Sequence, residues 1–304
     1  MNGILVIDKP KGMTSQQVVG RVKKILGVKK VGHTGTLDPD VDGVLPLCIG
    51  QATRLAEYLL DQSKAYAAEL TLGYSTDTQD ASGEIVERVA HVSVTEAEIR
   101  AAFDKFCGEI EQVPPAFSAL KINGRRAYDL ARQGERVALP PRRVTIYELA
   151  ITELELDCEL PRVRFRVECS KGTYVRTLCH DIGQTLGIPA HMSRLTRTRS
   201  GPFTLQMAHS LDVIGQAAAE GRIADYLLPP SVAVADFPCY VVTDRQARRV
   251  FNGLEMSFSA AGQERETGER IRLESASGQL LAIYRVVDSD GQTIRTKPEK
   301  VFNA

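Results

Sequence analysis

Residues 32–43 read Gly-His-Thr-Gly-Thr-Leu-Asp-Pro-Asp-Val-Asp-Gly, and this stretch constrains the chain more than any other. Its glycines, aspartates and proline break both helical and strand periodicity, so it is a loop. Before it, Thr14-x-x-Gln17 forms a capping-box pattern. Val18, Val19, Val22, Ile25 and Leu26 then recur at helical spacing, and Gly27 is placed to stop the helix. After it, residues 44–49 are an apolar run of the length of a buried strand. Residues 3–7 are another, ending at Asp8-Lys9-Pro10. A polar loop hung between a helix and a buried strand is where catalytic groups tend to sit. Asp38-Pro39 is equally a good turn initiator, so these residues alone leave catalysis and a structural turn both open.

The rest of the chain mixes strands and helices. Residues 52–60 suit a short helix, 66–72 a strand and 73–84 a turn-rich loop. Thr95-x-x-Glu98 opens a further helix, closed by Gly108. Strand patterns follow at 144–157 and 162–169, then a helix near 174–186 ending at Gly187. Pro114-Pro115 and Pro140-Pro141 bracket a basic segment, 113–145, with a helix-compatible centre, which reads as an excursion from the core. Pro229-Pro230 and Pro238 mark a boundary, beyond which short strands and one small helix near 244–252 make a small second unit. Strands in succession with interspersed helices predict an α+β fold.

Hydrophobic residues at 43% and charged residues at 25% are enough to bury a core. Lys+Arg 38 against Asp+Glu 38 points to no partner, but the charge is segregated. Residues 1–36, 120–145 and 162–199 are basic, and the acidic excess lies mainly in 69–112 and 146–159. Such segregation gives basic faces that attract polyanions, with solvated surface charge as the plain alternative. The six cysteines lack zinc-ribbon spacing and the N-terminus lacks a leader pattern, which suggests reduced thiols in the cytoplasm. No apolar run approaches the ~18 residues of a membrane helix.

Three further features bear on chemistry. His33 reads as a turn histidine, a metal ligand or a substrate contact. Asp40 and Asp42 supply carboxylates near it but no second histidine lies close, which disfavours a metal. Cys169-Ser-Lys171-Gly-Thr173-Tyr174-Val-Arg176 is a strand–turn–helix corner that can place donors near an anion, yet it lacks the spacing of a nucleotide-hydrolysing loop. Residues 114–134 read either as a basic arm that grips a phosphate backbone or as an amphipathic solvated helix, and in Lys64-Ala-Tyr66 a tyrosine on a strand is usually packing.

In this order the motifs resemble those of the bacterial TruB-type tRNA pseudouridine synthases, which act on uridine 55 of the T-arm. The resemblance runs from residues 3–15 through Gly32–Pro39 and 43–46, Lys64-Ala-Tyr66 and 114–134 to 170–176. It implies a catalytic domain over 1–235, with a mixed, mainly antiparallel sheet flanked by helices and an RNA-gripping insertion at about 113–145. It also implies a β-rich, PUA-like RNA-binding domain over 236–304. The implied reaction is isomerisation of that uridine by base flipping and an essential aspartate, with no cofactor and no metal. The implied partner is the T-arm stem-loop of tRNA, met by a cytoplasmic monomer with no obligate protein partner and no membrane.

By the same resemblance Asp38 is the essential aspartate, Tyr66 lies under the target base, and Arg176 stands near the aspartate. Tyr174 and Leu195 line the pocket, His33 is associated with opening the RNA loop, and Lys9 and Pro10 are structural support. Lys64, Lys121, Arg125, Arg126, Arg132, Arg142, Arg143, Lys171 and Arg197 are expected to meet RNA. Phe117 and Val41 depart from the family's usual Tyr and Ala, and neither is expected to touch the chemistry. Asp38 must be ionised to attack C1′ or the uracil ring or to remove a ribose proton, and a neighbouring guanidinium would favour that state. Two readings compete: a tRNA-binding folding chaperone that does not need Asp38, and a nuclease or phosphotransferase using Asp38, Asp40 and Asp42 with a divalent ion.

Overall fold

The computed structural model describes residues 1–118, 120–122, 124–127, 130, 133, 139–260 and 265–302. The first apolar run becomes β1 (Gly3–Lys9), and α1 (Ser15–Leu26) follows from a complete capping box. Gln17 N–H donates to Thr14 Oγ1 at 3.1 Å and Thr14 N–H to Gln17 Oε1 at 2.7 Å. Gly27, at φ +63°, ends the helix as its sequence position suggests. β2 (Val31–His33) and β3 (Asp42–Ile49) bracket the polar loop, and β3 pairs antiparallel with both β1 and β2.

A 3₁₀ turn and α2 (Ala56–Leu60) lead into β4 (Lys64–Leu72), and β5 (Tyr74–Thr76) and β6 (Ile85–Arg88) form a hairpin. α3 (Glu96–Asp104) is capped by Thr95 and Glu98, but Gly108 does not close it. The chain turns at Lys105–Phe106 through 3₁₀-type bonds to Ala102 and Phe103, and Gly108 opens β7 (Gly108–Gln112) instead. In the basic insertion the described backbone forms the short ladder β8 (Lys121–Ile122) and β9 (Arg125–Arg126), and its helix-compatible centre lies mostly outside the described residues. Next come β10 (Arg142–Glu155), β11 (Arg162–Cys169), α4 (Val175–Leu186), β12 (Ala190–Ser200), β13 (Phe203–Thr204) and α5 (Leu211–Ala219).

The main sheet runs β1-β3-β12-β4-β11-β10-β7, with β2 on β3 and β13 on β12. Every pairing is antiparallel except β3 with β12, so the expected α+β architecture, a mixed and mainly antiparallel sheet flanked by helices, is the one found. α3 and α4 bury Phe103, Leu178 and Ile182 against Leu70 and Phe165 of the sheet. α1 and α5 cover the β1–β3 end through Val22 and Ile214. Beyond the proline cluster, β14 (Cys239–Val242), α6 (Asp244–Phe251), β15 (Met256–Ser259), β16 (Arg270–Ser275), β17 (Leu280–Ser289) and β18 (Thr293–Val301) build a second sheet in the order β14-β16-β17-β18-β15. Leu280, Ile283 and Phe302 share a core with Leu55 and Tyr58, and the Tyr58 hydroxyl donates to Glu299 Oε1 at 2.8 Å. No helix among the described residues is long and apolar enough to cross a membrane.

The parallel seam between β3 and β12 spans only Thr196↔Asp42 and Arg197↔Gly43. Gly43 sits at φ +101°, and a Cβ there would meet the Arg197 carbonyl oxygen at 2.3 Å. Gly12, at φ +80°, has nothing within 4 Å of an added Cβ. Gly12→Ala should therefore cost only the left-handed penalty of about 1–2 kcal/mol. Gly43→Ala adds a backbone clash and should cost about 3 kcal/mol or more. Urea unfolding midpoints of the two variants check the difference.

Candidate active site

The polar loop between β2 and β3 is held by buried donors. The Lys9 ammonium, at the end of β1, donates to the carbonyls of Pro10 at 2.9 Å, Met13 at 2.6 Å and Pro39 at 3.0 Å. Gly12 N–H reaches the same Pro39 oxygen at 2.9 Å. Ser15 Oγ accepts from Leu37 N–H at 2.9 Å and donates back to Leu37 O at 3.2 Å. From β12, Arg197 donates through Nε to Val44 O at 2.7 Å and through Nη2 to Gly35 O at 3.3 Å. Leu37 and Val41 turn into the core, and Asp38 between them keeps its side chain 46% exposed.

Arg176, in the first turn of α4, approaches from the opposite side. Its Nη2 lies 3.4 Å from Asp38 Oδ2 and its Nη1 3.4 Å from Asp80 Oδ2. Nη2 also donates to Phe117 O at 2.5 Å. The Asp80 loop is tied down by Thr177 Oγ1 donating to Gln79 Oε1 at 2.7 Å and by a bridge to Met192. Desolvation pushes the Asp38 carboxyl above its ordinary value, Arg176 pulls it back, Asp80 raises it and Lys9 lowers it. The guanidinium expected to favour the ionised state is therefore in place, but burial outweighs it.

A cleft of two lobes, of about 290 Å³ and about 570 Å³, meets at Asp38, Val41, Arg176, Met192 and Leu195. The smaller lobe is at the low end of the ~300–1,000 Å³ usual for small-molecule sites. Tyr66 from β4, Tyr174 at the cap of α4 and Leu195 from β12 line it with Asp38. Tyr174 has no side-chain cap of its own. Gln112 of β7 holds its backbone instead, accepting from its N–H and donating to its carbonyl, both at 3.0 Å. Arg142 lies over the Tyr174 ring at 4.7 Å. Burial pushes the Tyr66 phenol up, with the Arg197 guanidinium facing it and opposing the shift.

Several sequence expectations need correction. Arg197 is only 1% exposed, and it donates to the carbonyls of Val44 in β3 and Gly35 in the loop, so it is not free to meet a phosphate. Lys64 is also buried, donating to Leu60 O at 2.7 Å and Gln62 O at 2.6 Å; it forms part of the cavity wall, and burial pulls its ammonium down to about 8. Both stand on the cavity-facing side of central strands, where the alternation of side chains turns them inward. Phe117 and Val41, expected to stand clear of the chemistry, both line the cleft.

His33 sits on β2 away from the cleft lining, with Nδ1 buried and unpartnered and its pKa lowered by burial. Lys171 and Arg143 are exposed, paired with Asp61 at 2.7 Å and Glu109 at 3.1 Å. The side chains of Lys121, Arg125 and Arg126, and all of Arg132, lie outside the described residues. Among the described residues no three of His, Cys, Asp and Glu group where they could hold a metal ion.

Residues 23–175 match the model of the TruB family pseudouridylate synthase N-terminal domain, and residues 176–235 match that of the tRNA pseudouridylate synthase B C-terminal domain. The chain belongs to the TruB family of pseudouridylate synthases. The tRNA pseudouridine synthase B of Geobacillus thermodenitrificans is 45% identical over 99% of this chain and 100% of its own length. That of Bacillus subtilis is 44% identical over 93% of each chain. Among solved structures, an H/ACA RNP bound to a substrate RNA containing 2′-deoxyuridine contains a chain 28% identical at TM-score 0.75, covering 99% of this chain and 85% of that one. A Cbf5-Nop10-Gar1 complex contains one 30% identical at TM-score 0.75 with the same coverage.

As a TruB-family synthase the protein is an isomerase, and its motifs mark one side of the cleft better than the other. Asp80, Gln112 and Ser118 were missed by sequence reasoning. Asp80 lies in a turn-rich loop whose composition gives no reason to place it beside Arg176, and Gln112 looks like any polar strand end. Lys9, taken from sequence as support, has that role: Lys9→Met strips donors from the Pro10 and Met13 carbonyls and one of two from Pro39. The variant should lose about 2–4 kcal/mol of stability, measured by urea unfolding.

Proposed function

We propose that the protein isomerises uridine 55 in the T-arm loop of transfer RNA to pseudouridine, with Asp38 as the catalytic carboxylate. The observation that carries this reading is the half-exposed Asp38 at the mouth of a nucleotide-sized cavity, 3.4 Å from the buried Arg176 and walled by Tyr66, Tyr174 and Leu195. The reaction breaks the bond from ribose C1′ to uracil N1, makes one from C1′ to C5, moves a proton off C5 and returns one to N1. Atoms and electrons balance without oxidant, energy source or group donor. Asp38 serves by attack on C1′, by attack on the uracil ring or by removing a ribose proton, and each route uses its ionised form.

A base stacked inside the folded T-loop must be extruded to reach Asp38, at a cost of a few kcal/mol. Stacking on Tyr66 returns about 1–3 kcal/mol of that. The described cations Arg142, Arg143 and Lys171 and the basic insertion supply the phosphate contacts, so binding weakens steeply with salt. In this reading residues 1–235 are the catalytic domain and 236–304 a small PUA-like RNA-binding domain, the whole acting as a cytoplasmic monomer with no obligate protein partner.

Unmodified tRNA carrying tritium at uracil C5 should release label to water in EDTA with no cofactor added. Asp38→Asn should lose roughly 10⁴-fold in rate while still binding tRNA. A transcript with cytidine at position 55 should release none. Release by Asp38→Asn at the wild-type rate would remove Asp38 from the chemistry. Asp80 pushes the Asp38 carboxyl up, so Asp80→Asn should leave Asp38 ionised at lower pH. The acid limb of the kcat/KM profile should accordingly move to lower pH, and a move to higher pH would contradict this electrostatic account.

A further inference from the structure

Within the cleft, one buried polar side chain is left without a role. Ser118 is 3% exposed and lines the smaller lobe, yet its Oγ has no hydrogen-bond partner. Two other hydroxyls of the same lobe are engaged: Thr173 Oγ1 donates to Ser170 O at 3.0 Å, and Ser170 Oγ accepts from Thr145 N–H at 2.9 Å. A buried hydroxyl with no partner opposes folding, and an orphan of this kind in a native protein calls for an explanation.

Its position supplies one. The preceding carbonyl, Phe117 O, accepts from Arg176 Nη2 at 2.5 Å, and the same nitrogen stands 3.4 Å from Asp38 Oδ2. Ser118 N–H closes a tight turn onto Ala116 O at 3.0 Å. The hydroxyl is therefore held one peptide unit from the guanidinium that faces the carboxylate. Arg176 Nε, on that guanidinium, is a second buried group without a partner.

The lobe is lined by cations, among them Lys64 and Arg176, and also by the apolar surfaces of Leu37, Val41, Leu195 and the two tyrosines, which suit the flat faces of a base. A base so sandwiched still needs partners along its polar edge. A hydroxyl, which both donates and accepts, fits the alternation of carbonyl oxygens and N–H along uracil.

We infer that Ser118 is a substrate-contact residue whose hydroxyl hydrogen-bonds the polar edge of the extruded uracil. The inference rests on the proposed function and adds a base-reading group from the start of the insertion, where Phe117 and Ser118 line the cleft. It implies that the hydroxyl does nothing for the free protein. Ser118→Ala should therefore melt at or above the wild-type temperature, and its kcat/KM for tritium release from tRNA should fall roughly tenfold. A kcat/KM equal to wild type would overturn the inference while leaving the proposed function intact. A fall in kcat/KM accompanied by a melting point several degrees lower would also overturn it, because the hydroxyl would then have a partner within the protein. No release by the wild-type protein would sink the proposed function, and this inference with it.

Discussion

The arrangement depends on the burial of one guanidinium. Arg197 is almost wholly removed from solvent, where a charge is tolerated only if its donors are met. Its partners are the carbonyl of Val44 in β3, the carbonyl of Gly35 in the polar loop and the phenol of Tyr66 in β4, which it faces. Satisfying that one side chain brings three separate segments to fixed positions around the cleft. The same residue pairs with Gly43 at the short parallel seam, where only a glycine lets the two backbones approach. Lys9 does a similar job from the far side of the loop, again through carbonyl oxygens. The loop carrying Asp38 is therefore clamped by two buried cations while Asp38 itself still faces the cleft.

This clamping sets the electrostatics of the carboxylate. Taking Asp38 out of bulk water raises its proton affinity, and Arg176 reduces that rise without abolishing it. Arg176 is shared with Asp80, so its charge is not wholly given to Asp38. A carboxylate more basic than one in water suits nucleophilic or basic work on a neutral ring. The second sheet is tied to the same region. Glu299 receives Tyr58, Arg270 and Arg285, and Lys300 bonds Glu57, so β18 is fastened to α2. That helix ends at Leu60, whose carbonyl holds Lys64 in the cavity wall.

Local pattern was enough for much of this molecule. Helix α1 follows from Thr14, Gln17, a valine stripe and Gly27; α4 ends at Gly187 as its position suggests; and the proline pairs at 114–115 and 140–141 flank the segment between β7 and β10. Asp38, Tyr66, Tyr174, Arg176 and Leu195 could be singled out from motifs and resemblance, and they line one cavity. What pattern misjudged was the direction of charge. Lys64 and Arg197 read as surface cations because lysine and arginine usually are, but both sit on central strands whose inward faces close the site.

Sequence alone was enough for the capped helices α1 and α3, the longer strands, the polar loop and the family, because capping, periodicity and motif order are local properties. Only the tertiary structure decided which side chains meet. Asp80 and Ser118 reach Arg176 and its cleft from segments far apart in the chain, and Gln112 caps a helix from another strand. Those contacts are created by the pairing of β12 with β3 and β4 and by the packing of α4. Sequence spacing carries no information about distances set by such long-range pairing, and burial, which changes both charge direction and proton affinity, follows from the same packing.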